Sequence, residues 1–184
     1  MLACTVALLA ACSAESEYTT YPCRFIFNTE QHAHSAALTS ATQQLSPGVF
    51  CKVSMVVSGG ASYFRFATNQ SLTDDVPYTA IETRSTPELG MNNGIILGYG
   101  NLSSPATFYG YDAQCPNCFS PNEVPVRNRP LSMTTDGRAV CANCKREYDM
   151  NNGGVISKGA TSSADKKLTR YHAYVNGSVV SVTN

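Results

Sequence analysis

Two short cysteine turns, Cys115-Pro116-Asn117-Cys118 and Cys141-Ala142-Asn143-Cys144, constrain this chain more than any other feature. Residues 119–140 lie between them, a spacing slightly longer than is usual between two such pairs at a zinc site. In a C-x-x-C turn both thiolates point at one ion, because the intervening backbone N–H groups ease the charge of the sulfur pair. Two such turns complete a tetrahedral sulfur shell. The alternatives are two separate thiol or disulfide pairs, or a cross-linked hairpin, which an oxidising compartment would favour.

Four thiolates in tetrahedral array suit zinc, a single iron, or a [2Fe–2S] cluster. Zinc has no redox chemistry, and with all four positions filled by protein it would leave none open for a substrate. A zinc site at Cys115, Cys118, Cys141 and Cys144 would therefore be structural and the protein non-catalytic. The sequence contains no convincing nucleophile–histidine–acid set, phosphate loop or paired carboxylates. Thiol–disulfide exchange is a weaker reading, since it needs an exposed thiolate at a helix N-terminus and Pro116-Asn117 follows a strand in a loop.

The chain begins with an apolar, small-residue run ending in Leu9-Ala10-Ala11-Cys12, followed by the polar Ser13-Ala14-Glu15-Ser16-Glu17. The run is too short to span a bilayer, which takes about 20 apolar residues, and reads as a signal h-region. The Leu-Ala-Ala-Cys box resembles the bacterial lipoprotein signal, which implies lipidation of Cys12, removal of Cys4 with the signal, and a membrane partner held through the lipid. No Lys or Arg precedes the run, and an ordinary cleaved signal or a buried apolar strand are the alternatives. Residues 1–20 are then signal and tether, and the folded part is 21–184. Ser13 resembles the residue that permits outer-membrane sorting in Gram-negative lipoproteins, which implies a cell-envelope location on the periplasmic face or the cell surface.

Formal net charge is zero and only 14% of residues are charged, so the chain lacks the basic footprint that a nucleic acid partner requires. Ser, Thr, Tyr, Val, Gly and Asn dominate instead, a mixture suited to short strands and turns. Strands are expected at 24–27, 49–57, 62–68, 94–99, 107–112, 131–134, 139–141, 168–174 and 178–182, with Gly59-Gly60 turning one hairpin and a helix or loop within 30–45. Residues 69–89 read as a connector with a strand near 78–83. Cys23 and Cys51 fall on the first two strands and are candidates either for a disulfide outside the cytoplasm or for two buried thiols. His32, His34 and His172 read as surface or packing residues.

The residues around the cysteines resemble a Rieske domain. Tyr109-Gly110-Tyr111-Asp112-Ala113-Gln114-Cys115-Pro116, then Cys141 to Glu147-Tyr148-Asp149 and Gly153-Gly154, then Gly159-Ala160, Leu168-Thr169-Arg170-Tyr171 and Gly177-Ser178-Val179-Val180 follow that family's order and separation over about half the chain. The resemblance implies an all-β, Rieske-like sandwich or barrel with a small inserted metal-binding subdomain of rubredoxin or zinc-ribbon type, its cluster motif within 108–160. It also implies an iron–sulfur electron-transfer role. The ligand pattern departs from the family: Asn117 stands at the first histidine position with Cys118 one residue later, Cys144 takes the second, and Lys145 replaces the following glycine. Two readings follow: a lipid-anchored envelope protein with a degenerate Rieske-like domain and structural zinc, or an electron carrier with iron or iron–sulfur at the same four cysteines. The protein partner is left open in both.

Overall fold

A computed structural model describes residues 17–184. Cys12, the candidate lipidation site, and Cys4 lie outside the described residues. The first half contains β1 (Arg24–Asn28), the short helix α1 (Ala36–Ala41), β2 (Phe50–Ser58), β3 (Ala61–Thr68), β4 (Thr73–Pro77) and a second short helix α2 (Ala80–Ser85). The second half contains β5 (Ile95–Tyr99), β6 (Phe108–Asp112), β7 (Leu131–Met133), β8 (Arg138–Cys141), β9 (Glu147–Asp149), β10 (Val155–Lys158), β11 (Arg170–Asn176) and β12 (Val179–Thr183). The fold is all-β, as the composition and spacing imply. Eight strands form one antiparallel sheet in the order β1-β12-β11-β6-β5-β2-β3-β4, and β10-β9-β8-β7 form a small antiparallel sheet inserted between β6 and β11.

Alternation decides how the large sheet closes. Phe25 and Phe27 of β1 point inward while Arg24 and Ile26 face solvent. The two inward rings meet Phe64 and Phe66 of β3: Phe25 lies edge-on to Phe64 at 5.6 Å, and Phe27 edge-on to Phe66 at 5.3 Å. Since β1 is one end of the strand order and β3 lies next to the other, this contact curls the sheet into a half-barrel around one apolar core. α1 closes its mouth with Ala37, Leu38 and Ala41 buried, and its N-cap Ser35 accepts the Leu38 N–H at 3.0 Å.

The middle strands are buried on both sides. Ile95 and Leu97 of β5 enter the first core, whereas Ile96 joins Phe50, Tyr111, Tyr148 and Met150 in a second core that glues the small sheet onto the large one. This double burial explains the continuous apolar run at 95–97. At Gly98 a Cβ would stand 2.4 Å from the Val49 carbonyl and 2.8 Å from the Phe50 ring. Gly98→Ala is therefore expected to cost about 1–3 kcal/mol through backbone displacement, visible as a lower urea midpoint. The β2–β3 hairpin turns on Gly59 and Gly60, both with positive φ (+58° and +80°), as a two-residue turn between right-twisted strands requires.

One expectation changes. Residues 78–83 are not a strand: β4 ends at Pro77, and α2 begins after Thr79 with a capping box in which Glu82 accepts the Thr79 N–H at 2.7 Å. Glu82 is buried because it also meets His32 at 2.8 Å, and His32 stacks on Phe27 at 4.2 Å, so that histidine is a paired packing residue. Of the two readings open for Cys23 and Cys51, the structure has the buried free thiols. Cys23 leads into β1, which pairs with β12, while Cys51 on β2 is held between β3 and β5. Cys23 Sγ instead faces the Val182 carbonyl at 3.5 Å, and burial raises the Cys23 thiol to about 12.

Candidate metal centre

Each C-x-x-C turn is folded by its own backbone before any ion is considered. In the first, the Cys115 carbonyl accepts the N–H groups of Cys118 at 3.1 Å and Phe119 at 2.9 Å. In the second, at the end of β8, the Cys141 carbonyl accepts the Lys145 N–H at 3.0 Å, and Lys145 takes a left-handed conformation with φ +61°. That turn position is one where a glycine would be at ease, so Lys145 holds it against its own conformational preference. The first turn is joined to the small sheet's approach by the Cys115 N–H, which donates to the Arg129 carbonyl at 2.9 Å.

The fold brings the four sulfurs together within 4.8 Å of one another. Cys115 and Cys144 are 3.7 Å apart, and Cys118 and Cys141 are 3.9 Å apart. Four thiolates at about 2.3 Å from one zinc make a tetrahedron with edges of about 3.8 Å. The residues present therefore fit a single tetrahedral ion. Each turn contributes one buried cysteine, Cys115 or Cys141, and one half-buried, Cys118 or Cys144, so the site lies at the tip of the small sheet with one side toward solvent.

A polar shell orients the sulfurs. Asn143 donates to Cys118 Sγ at 3.3 Å. Asn117 donates to the Tyr148 hydroxyl at 2.9 Å, which leaves that hydroxyl's own proton for Cys115 Sγ at 3.2 Å. Asn117 further donates to the Lys166 carbonyl at 2.7 Å and accepts the Lys166 N–H at 2.9 Å, bolting the loop before β11 to the first turn. Arg146 pairs with Asp165 at 2.8 Å from the other side of that loop. Burial pushes the Cys115 thiol up, with Tyr148 opposing it. At Cys144 burial works the same way, yet the Arg146 backbone N–H and guanidinium outweigh it and bring the thiol down to about 6.

The sequence picks out the four cysteines but misses this shell. Tyr148 enters there only as part of the family order and Asn117 only as a departure from the ligand pattern, whereas together they hold Cys115 and the neighbouring loop. The available signal was the asparagine at the third position of both turns, Asn117 and Asn143. Asn117→Ala would release the Lys166 loop from the first turn, an expected cost of about 0.5–1.5 kcal/mol for each exposed hydrogen bond lost. Faster metal transfer to a colorimetric chelator than from the unaltered protein would report it.

No protein-family model matches the chain, and no curated protein matches it. Among solved structures the chain is similar to the plasma-membrane Rieske protein PetC3 of the cyanobacterium Synechocystis PCC 6803. That similarity has 14% identity over 58% of this chain and 95% of that one, with a TM-score of 0.36.

Proposed function

We propose that this protein is a non-catalytic, lipid-anchored cell-envelope scaffold whose inserted sheet is held by one tetrathiolate zinc ion. The observation that carries the metal reading is the sulfur geometry, four Sγ atoms within 4.8 Å with two edges of 3.7 and 3.9 Å. A two-iron cluster fits less well, because each iron needs its own pair of thiolates and the bridging sulfides spread the two pairs apart. Zinc bound by all four cysteines would contribute folding free energy to the small sheet and leave no coordination position for chemistry. The Leu9-Ala10-Ala11-Cys12 box supports the lipid anchor, with roughly 0.8 kcal/mol of membrane affinity from each buried CH₂.

A single iron at the same cysteines is the second reading. It is favoured by the hydrogen bonds from Asn143 and Tyr148 to sulfur, since such contacts tune a thiolate-bound iron's potential. One preparation separates the two readings. Elemental analysis and a visible spectrum of the full chain purified without air would give colourless, stoichiometric zinc for the first and a coloured iron protein for the second. Metal-free protein with oxidised cysteine pairs would overturn both. The mass of the detergent-extracted protein tests the anchor, which requires a diacylglyceryl addition at Cys12.

A further inference from the structure

Arg170, the first residue of β11, is only 9% exposed, yet its Nε has no hydrogen-bond partner among the described residues. Its guanidinium lies 5.2 Å from the Tyr18 ring centre and 4.9 Å from that of Tyr109. A desolvated guanidinium calls for an anion, and its fork is shaped to take one through two nitrogens. Here the anion is Glu17, which accepts from Nη1. The Glu17 side chain is 54% exposed against 10% for Arg170. The cation is thus built into the sheet, while the anion sits on the rim.

Residues 17–19 form a strap across the start of β11. The Thr19 N–H donates to the Arg170 carbonyl at 2.9 Å, and Tyr18 stacks on His172 at 3.9 Å. Beside the strap opens a cleft of about 580 Å³, lined among others by Pro116, Ser163, Lys166 and Lys167. Asp165 also borders it, but its carboxylate is committed to Arg146 and to the Thr161 and Ser162 N–H groups. Two exposed lysines and one buried arginine therefore face the cleft, with Glu17 the removable negative charge.

We propose that this cleft binds a small oxyanion ligand, carboxylate or phosphate, and that Glu17 is a built-in occupant which the ligand displaces. Release of the strap uncovers Nε, so the incoming oxyanion can take two guanidinium nitrogens where Glu17 takes one, with Lys166 and Lys167 adding charge at the mouth. The site adjoins the cysteine turn through Pro116 and through the Asn117–Lys166 bonds, but the proposal holds whichever ion the cysteines take.

Calorimetric titration of the full chain with inorganic phosphate and with succinate tests it. If the strap covers Arg170 in about nine molecules of ten, Glu17→Gln raises the apparent affinity about tenfold, and the probe that gains separates a phosphate from a carboxylate ligand. Arg170→Gln in the Glu17→Gln background abolishes binding. Should that variant fail to fold, Lys166→Gln with Lys167→Gln on the same background decides, since both side chains are exposed and their loss must weaken binding severalfold. Absence of binding to folded Glu17→Gln protein, or affinity indifferent to Glu17 and to both lysines, overturns the proposal.

Discussion

If zinc holds the four cysteines as proposed, Cys141→Ser is expected to strip it and to release the small sheet while leaving the large one folded. Cys141 is 1% exposed, closes β8, and sits in the second core with Leu131, Ala139 and Tyr148. A structural tetrathiolate zinc supplies an apparent binding free energy of about 10–16 kcal/mol, and without one thiolate much of it is lost. The strands β7 to β10 have three or four residues each, too short to stand without that support. Hydrogen exchange is the discriminating measurement: amides of β8 and β9 should lose protection by several orders of magnitude, whereas those of β2 and β3 keep theirs. Chelation of the unaltered protein should give the same map. Unchanged protection in both cases would mean that the second core alone holds the sheet.

Phe25→Ala should be the most damaging substitution in the large sheet, at about 3–5 kcal/mol. Phe25 is fully buried and touches three other rings, stacking on Phe27 at 5.9 Å and lying edge-on to Phe64 at 5.6 Å and Phe66 at 6.5 Å. Its removal opens a void where β1 meets β3, the contact that curls the sheet, and cavity and lost transfer energy add there. The neighbouring Ile26 is 57% exposed on the other face of the same strand, so Ile26→Ala should stay within about 0.5 kcal/mol. Urea denaturation of the two variants side by side checks the register as well as the magnitude. Equal effects would show that β1 is not docked as described.

Much of the strand pattern was legible because it is local. Alternation in 24–27 and the Gly59-Gly60 turn rest on preferences a few residues wide, and the structure has Gly59 and Gly60 at positive φ. β9 and β10 were missed although β7 and β8, equally short, were read: β9 leaves the second C-x-x-C turn and pairs back on β8, and β10 pairs in turn on β9, so neither strand is set by its own residues alone. α2 was missed although its capping box, Thr79 and Glu82, stood in the sequence; a six-residue helix shows no amphipathic period, and its buried glutamate makes sense only beside His32.

What the sequence by itself determined is the ligand set of the candidate metal centre: four cysteines in two turns whose internal geometry is dictated by backbone hydrogen bonds within five residues. Tertiary structure alone decided which groups surround them. Tyr148, Asn117, Arg146 and Asp165 meet because the small sheet folds back onto the loop before β11. Cys23 and Cys51, open in the sequence to a disulfide or to two buried thiols, are buried free thiols here, and Glu17 reaches Arg170 across 153 positions of chain. Spacing along a chain fixes contacts within a turn, but contacts between distant segments depend on how the sheet curls, and that is settled by the packing of Phe25, Phe27, Phe64 and Phe66 together.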